Sequence, residues 1–145
     1  MENLYKNSAF ITNLVSAEIV TGIQQGHSDL REIQKALRHG WLKEVVLKSA
    51  KERSLYEVLS VSLGHGEASG TAAAKSRGFI FACDDRAARR ESGLLRMKLT
   101  GTLGILKKAV KRQIVNPGER QLILEKMIKT GFYSPVKSLD ELTDP

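Results

Sequence analysis

The chain has 145 residues, 41% hydrophobic and 27% charged, with a formal net charge of +7 and a pI near 9.7. That length suits a single domain able to bury its own core, and the composition is ordinary for a globular protein, so disorder is not the default reading. No apolar run approaches the roughly 20 residues that span a bilayer, and the N-terminus carries no signal-peptide pattern. The lone Cys83 excludes an internal disulfide, so a cytoplasmic protein with no membrane partner is expected.

The first strand is expected at residues 10–15, an apolar, β-branched run. Ser16 is then placed to cap a helix over residues 17–23 with Glu18 in its first turn. Ser28 or Asp29 is placed to cap a second helix, whose Leu30, Ile33, Ala36 and Leu37 form one apolar stripe. His39-Gly40 ends it, and residues 41–47 read as a strand. Residues 51–63 read as a helix, broken by Gly64-His65-Gly66. Glu67 to Lys75 is a helix of small residues, suited to close packing on a sheet, and Gly78 ends it. Residues 79–83, Phe-Ile-Phe-Ala-Cys, are a continuous apolar run, as a strand buried on both faces should be. A helix follows from Arg86 to Glu91, ended by Gly93. A last strand is expected at 96–100, a Gly-rich turn at Thr100–Gly104, and a helix at 105–114. Pro117-Gly118 reads as a turn, residues 120–129 as a helix and Gly131 as its cap. Helices alternating with short apolar strands predict an α/β fold with a mainly parallel sheet covered on both faces. One domain is expected over 1–134, with a loosely packed tail over 135–145.

In open parallel sheets, sites form at the carboxyl ends of strands. Asp84 and Asp85 follow the strongest strand, Glu67 opens the helix before it, and Glu18 follows the first strand. Converging carboxylates repel one another unless a hard cation such as Mg²⁺ or Mn²⁺ joins them, and such an ion can activate water against a phosphodiester. The helix dipole alone also favours Glu18 and Glu67 in first turns, and Asp84-Asp85 also suits a helix N-cap. From Arg86 to Arg112 there are nine basic residues and a single acid, Glu91. That segment suits a phosphate backbone, an acidic protein or a solvated face. The Thr100–Gly104 turn could hold a phosphate through backbone N–H groups, or serve as a tight turn and cap. His27, His39 and His65 lack metal-ligand spacing, and Cys83 reads as core.

Four segments in order carry a family resemblance. They are Leu63-Gly64-His65-Gly66-Glu67-Ala68, Phe79 to Arg89 with its Asp84-Asp85-Arg86, Leu99-Thr100-Gly101-Thr102-Leu103-Gly104, and Lys129-Thr130-Gly131-Phe132-Tyr133-Ser134. Together they resemble a prokaryotic branch of the PIN-domain superfamily, DUF3368-like and similar to toxin ribonucleases, over roughly residues 10–134. The resemblance implies a three-layer α/β/α fold. It implies RNA cleavage with Mg²⁺ or Mn²⁺ held by four acidic residues, and with it an antitoxin partner and homodimers. By position, Glu18 matches the second acid, Glu67 the third, and Asp84 or Asp85 the fourth, Asp85 being favoured because Arg86 follows it. Glu18, Glu67 and Asp85 are thus the expected metal ligands, with Asp84 a further catalytic candidate. Arg86, Arg89, Arg90, Thr100, Thr102, Lys107 and Lys108 are the expected RNA contacts.

The sequence departs from that family at its start. The family opens with an apolar strand, central in the sheet, ending in an Asp that is the first metal ligand. Here no Asp precedes Asp29 and residues 1–9 form no apolar strand, so the domain reads as N-terminally truncated relative to the family. Ser69 also stands where a further acid is frequent. The expected function is a toxin-like, metal-dependent ribonuclease. The alternatives are a catalytically degenerate PIN-like binding or assembly module and, in third place, an unrelated regulator binding a phosphate-bearing ligand at Thr100–Gly104.

Overall fold

A computed structural model describes residues 1–138 and 141. The chain groups into two compact units, Met1–Thr100 and a second beginning at Gly101. The first holds α1 (Glu2–Tyr5), β1 (Ala9–Thr12), α2 (Asn13–Gln24), a 3₁₀ turn (Ser28–Leu30), α3 (Arg31–Arg38), β2 (Leu42–Val45), α4 (Ala50–Leu59), α5 (His65–Arg77), β3 (Phe81–Ala82), α6 (Arg86–Leu94) and β4 (Leu99–Thr100). The second holds α7 (Thr102–Lys111) and α8 (Pro117–Lys129). Part of the tail expected beyond residue 134, residues 139, 140 and 142–145, lies outside the described residues.

The fold is α/β with parallel pairing, as the alternation of elements predicts. β1 pairs with β2 from Ala9↔Leu42 to Thr12↔Val45, and β3 pairs with β4 through Phe81↔Leu99 and Ala82↔Thr100. The strands form two separate pairs rather than one continuous sheet. They are also shorter than their apolar runs, because Phe79 and Ile80 lie outside the ladder and are exposed.

α5 organises the first unit. Gly66, Ala68, Ser69, Thr71, Ala72, Ala73 and Ala74 are all buried along it. A helix with so few large side chains lets its neighbours approach closely, and α4, α2, α6, β1 and β3 all pack on it. Ala68 and Ala72 join Leu59, Leu63 and Ala88 in the core, with Leu55, Phe81 and Cys83 against them. Gly78 ends α5 in the left-handed conformation at φ 69°, where a side chain would be strained. The second unit has its own small core of Leu106 and Leu124, flanked by Leu103 and Phe132.

Several local expectations change for identifiable reasons. Thr12, and not Ser16, caps α2: its Oγ1 accepts from Val15 N at 3.3 Å, so the helix starts at Asn13 and Glu18 falls beyond its first turn. Neither Ser28 nor Asp29 caps α3, which continues from the 3₁₀ turn without a side-chain cap. Gly93 lies inside α6, and Pro117-Gly118 opens α8 behind an Asn116–Glu119 capping box. α4 begins with a second capping box. Ser49 Oγ accepts from Glu52 N, and Glu52 Oε2 accepts from Ser49 N at 3.0 Å and Lys48 N at 2.7 Å. The other oxygen of Glu52 accepts from Arg77 Nε at 2.7 Å, and Arg77 Nη2 donates to Val46 O at 2.7 Å. This part-buried pair ties α4, α5 and the end of β2 together.

Candidate acidic site at the carboxyl ends of the strands

Two glycines at the start of α5 shape the site. Gly64 is the N-cap and Gly66 lies in the first turn. Gly66 N donates to Glu18 Oε1 at 2.9 Å, so the α2 carboxylate sits on the N-terminal end of α5. The first-turn amides and the helix dipole both favour an anion there. Glu67, on the same turn, lays Oε2 over Gly64, where an added Cβ would meet it at 2.5 Å. Glu18 and Glu67 are therefore gathered at one helix end. For Glu18 a favourable place in its own first turn no longer explains the position, because the group it serves belongs to another helix.

Beneath them a buried polar contact joins strand to helix. Thr12 Oγ1 and Ser69 Oγ share a hydrogen bond of 2.6 Å, and Ser69 Oγ also donates to Gly66 O at 3.0 Å. Both residues are buried. Ser69, noted in the sequence only as a replaced acid, thus locks the end of β1 to the turn that carries Glu67.

Asp84 and Asp85 follow β3. Asp85 caps α6, accepting from Ala88 N through Oδ1 at 2.8 Å. Burial pushes the Cys83 thiol up, and the neighbouring charges of Asp85, Glu67 and Asp84 push the same way, against a backbone hydrogen bond with Asp85 that pulls it down. Cys83 therefore stays a neutral thiol and is no nucleophile at neutral pH. Tyr56 Oη and His65 Nδ1, 2.8 Å apart, close the side of the α5 terminus.

The donor chemistry suits a hard divalent cation, since carboxylate oxygens are what Mg²⁺ and Mn²⁺ prefer. The placement does not make a ready cage. Among the described residues no three Asp, Glu, His or Cys side chains gather closely enough to hold an ion. One oxygen each of Glu18 and Asp85 is already taken by a backbone N–H.

The basic candidates divide. Arg89 Nη1 donates to Cys83 O at 2.8 Å and Thr100 O at 3.1 Å, which staples the carboxyl ends of β3 and β4. Arg90 lies beside Glu91 at 3.2 Å, and Arg86 is the exposed first residue of α6. Thr100 ends β4. Thr102, Lys107 and Lys108 lie on α7 in the second unit, and the expected Gly-rich turn is the first turn of that helix with Gly101 as N-cap.

A family model described as PIN domain, DUF3368, matches residues 1–144. The chain belongs to this PIN-domain family. Neither a curated protein nor a solved structure matches it. Membership places the chain in a nuclease-like superfamily whose domains generally use Mg²⁺ or Mn²⁺. No helix among the described residues of this PIN domain is long and apolar enough to cross a membrane.

Gly66 was not singled out by sequence reasoning as more than a helix breaker, yet it positions Glu18. A Cβ at Gly66 would collide with Glu18 Oε2. Gly66→Ala is expected to expel that carboxylate from the α5 terminus while costing only about 1 kcal/mol of stability, because the obstructing atom ends a flexible side chain. A crystal structure of the variant with Glu18 still on the α5 terminus would contradict this, as would a urea midpoint showing a loss several times larger.

Proposed function

We propose that this PIN domain acts on RNA as a metal-dependent phosphodiesterase at the carboxyl ends of its strands. The observation that supports the reading is the placement of Glu18 and Glu67 together on the α5 terminus, with Asp84 and Asp85 directly after β3. Glu18, Glu67 and Asp85 are the residues to hold Mg²⁺ or Mn²⁺, through their oxygens not bonded to backbone. A bound ion of this kind supplies Lewis acidity and an activated water. Arg86 and Arg90 supply positive charge for the RNA backbone, with Thr100 as a further contact in the same unit; Thr102, Lys107 and Lys108 are candidate RNA contacts of the second unit by itself. Arg89 acts by holding the strand ends. A toxin-like role with an antitoxin partner, a homodimeric state and a cytoplasmic location belong to the same proposal.

The second reading, an RNA-binding or assembly module without cleavage, is favoured by one observation: no three metal-ligating side chains gather among the described residues. Calorimetric titration of Mn²⁺ into the protein and into a Glu67→Gln/Asp85→Asn variant separates the two. The nuclease reading expects binding in the wild type that the variant weakens by about 10–100-fold or more, together with Mn²⁺-dependent RNA cleavage that the variant lacks. The module reading expects no Mn²⁺ binding and RNA affinity that falls steeply with salt.

A further inference from the structure

A ring pair borders the acidic site from the side of α4. Tyr56 is half-buried on α4 and packs against the core cluster that holds Leu59, Leu63 and Ala68. Its hydroxyl extends from that core to His65 Nδ1 at 2.8 Å, and the two ring centroids lie 6.1 Å apart, the planes tilted by 39°. His65 is the first residue of α5 and is exposed. An exposed imidazole is thus held by a ring that is itself held by the core.

Folding gains little from this arrangement. A hydrogen bond in contact with water adds only a small net stability, and it must offset the rotamer freedom that both side chains lose. Nor does His65 cap α5: Gly64 is the N-cap, and Glu18 supplies the carboxylate that accepts from Gly66 N. What the pair does accomplish is to fix one flat ring at the edge of the carboxylates. Gly66, which binds Glu18, follows His65 directly. Glu67 comes next on the same turn, and α-carbons two residues apart on a helix are separated by only about 5 Å. Carboxylates alone repel the phosphates of RNA, so a hold on the strand beside them falls to groups whose attraction does not depend on charge. Flat rings are such groups: single-stranded RNA is recognised through splayed bases that stack on aromatic and histidine side chains.

We propose that His65 is a base-stacking contact of the acidic site: its ring stacks the nucleobase next to the phosphodiester that the carboxylates engage. Tyr56 is a positioning residue, which sets the plane of that ring without touching RNA. The inference rests on the proposed action on RNA and narrows the substrate to single-stranded RNA with a base turned out of its stack.

The test is fluorescence anisotropy of a labelled single-stranded oligoadenylate with the whole chain at low salt in EDTA, which reads binding without cleavage. A second strand of the same length has abasic riboses in place of the adenosines. Wild type is expected to prefer the oligoadenylate by about tenfold or more. His65→Ala should lose most of that preference, His65→Phe, which keeps a flat ring, should retain it within about threefold, and Tyr56→Phe should fall between the two. The dependence of affinity on salt should be the same in wild type and His65→Ala, because stacking releases no counterions. A His65→Ala variant that keeps the full preference overturns the inference, as does a His65→Phe variant as weak as His65→Ala. A shallower salt dependence in His65→Ala also overturns it, because the residue is then a phosphate contact. Wild type that binds neither strand overturns the RNA reading and this inference with it, whereas wild type that binds RNA with His65→Ala unchanged overturns this inference alone.

Discussion

Glu52→Ala is expected to lower stability by about 3 kcal/mol. Glu52 is 4% exposed and accepts from Lys48 N, Ser49 N and Arg77 Nε. Removing one member of a buried ion pair costs about 3–5 kcal/mol, because the remaining charge is left without its counterpart. Arg77 keeps part of its side chain in solvent and retains Val46 O, which puts the loss at the lower end. Its hydrogen bond from Arg77, then those from the backbone, hold the Glu52 carboxyl down at about 2 from an ordinary 4.5. A carboxyl with a depressed folded-state pKa stabilises the fold above its unfolded value and loses that contribution as pH falls toward the folded one. The stability gap between wild type and Glu52→Gln should therefore be full above about pH 5 and shrink between 4.5 and about 2. Urea unfolding at pH 7, 4 and 2.5 measures it. A gap that stays constant over this range would mean that the ion pair contributes nothing.

Leu124→Ala is expected to be about as costly, roughly 2–5 kcal/mol, with its effect concentrated in the second unit. Leu124 is fully buried on α8 and packs with Leu106, Leu103 and Phe132. Two helices share very few large core side chains here, so the cavity has little around it able to collapse and fill the space. Hydrogen exchange at the α7 and α8 amides should accelerate strongly. Leu122→Ala, at a position 59% exposed on the same helix, should change exchange there very little. Equal effects from the two substitutions would show that α8 does not use Leu124 as its anchor.

Much of the fold is legible in the residues because periodicity and punctuation are local. The left-handed Gly78, the small-residue helix before it and the apolar run into Asp84-Asp85 each specify their element. The missed starts are also local. Thr12 competed with Ser16 for the α2 cap and won because its hydroxyl also meets Ser69, a contact 57 residues away that no window can contain. The Ser49-x-x-Glu52 pattern was readable as a capping box, whereas its second use, as partner of Arg77, was not.

The candidate site divides in the same way. Residue type and order by themselves determined the parallel α/β class, Glu67 at the start of α5, Asp84 and Asp85 after β3, and the Arg-rich helix behind Asp85. These follow from short-range chemistry: strand alternation, capping and charge. Only the tertiary structure decided that Glu18 docks on Gly66, that Arg89 is spent on Cys83 and Thr100 carbonyls, and that Thr102, Lys107 and Lys108 fall in a second unit. It alone decided that the strands pair as two halves. The physical reason is that a backbone edge or a carboxylate oxygen takes whichever donor packing brings within about 3 Å, and packing depends on residues far apart in the chain.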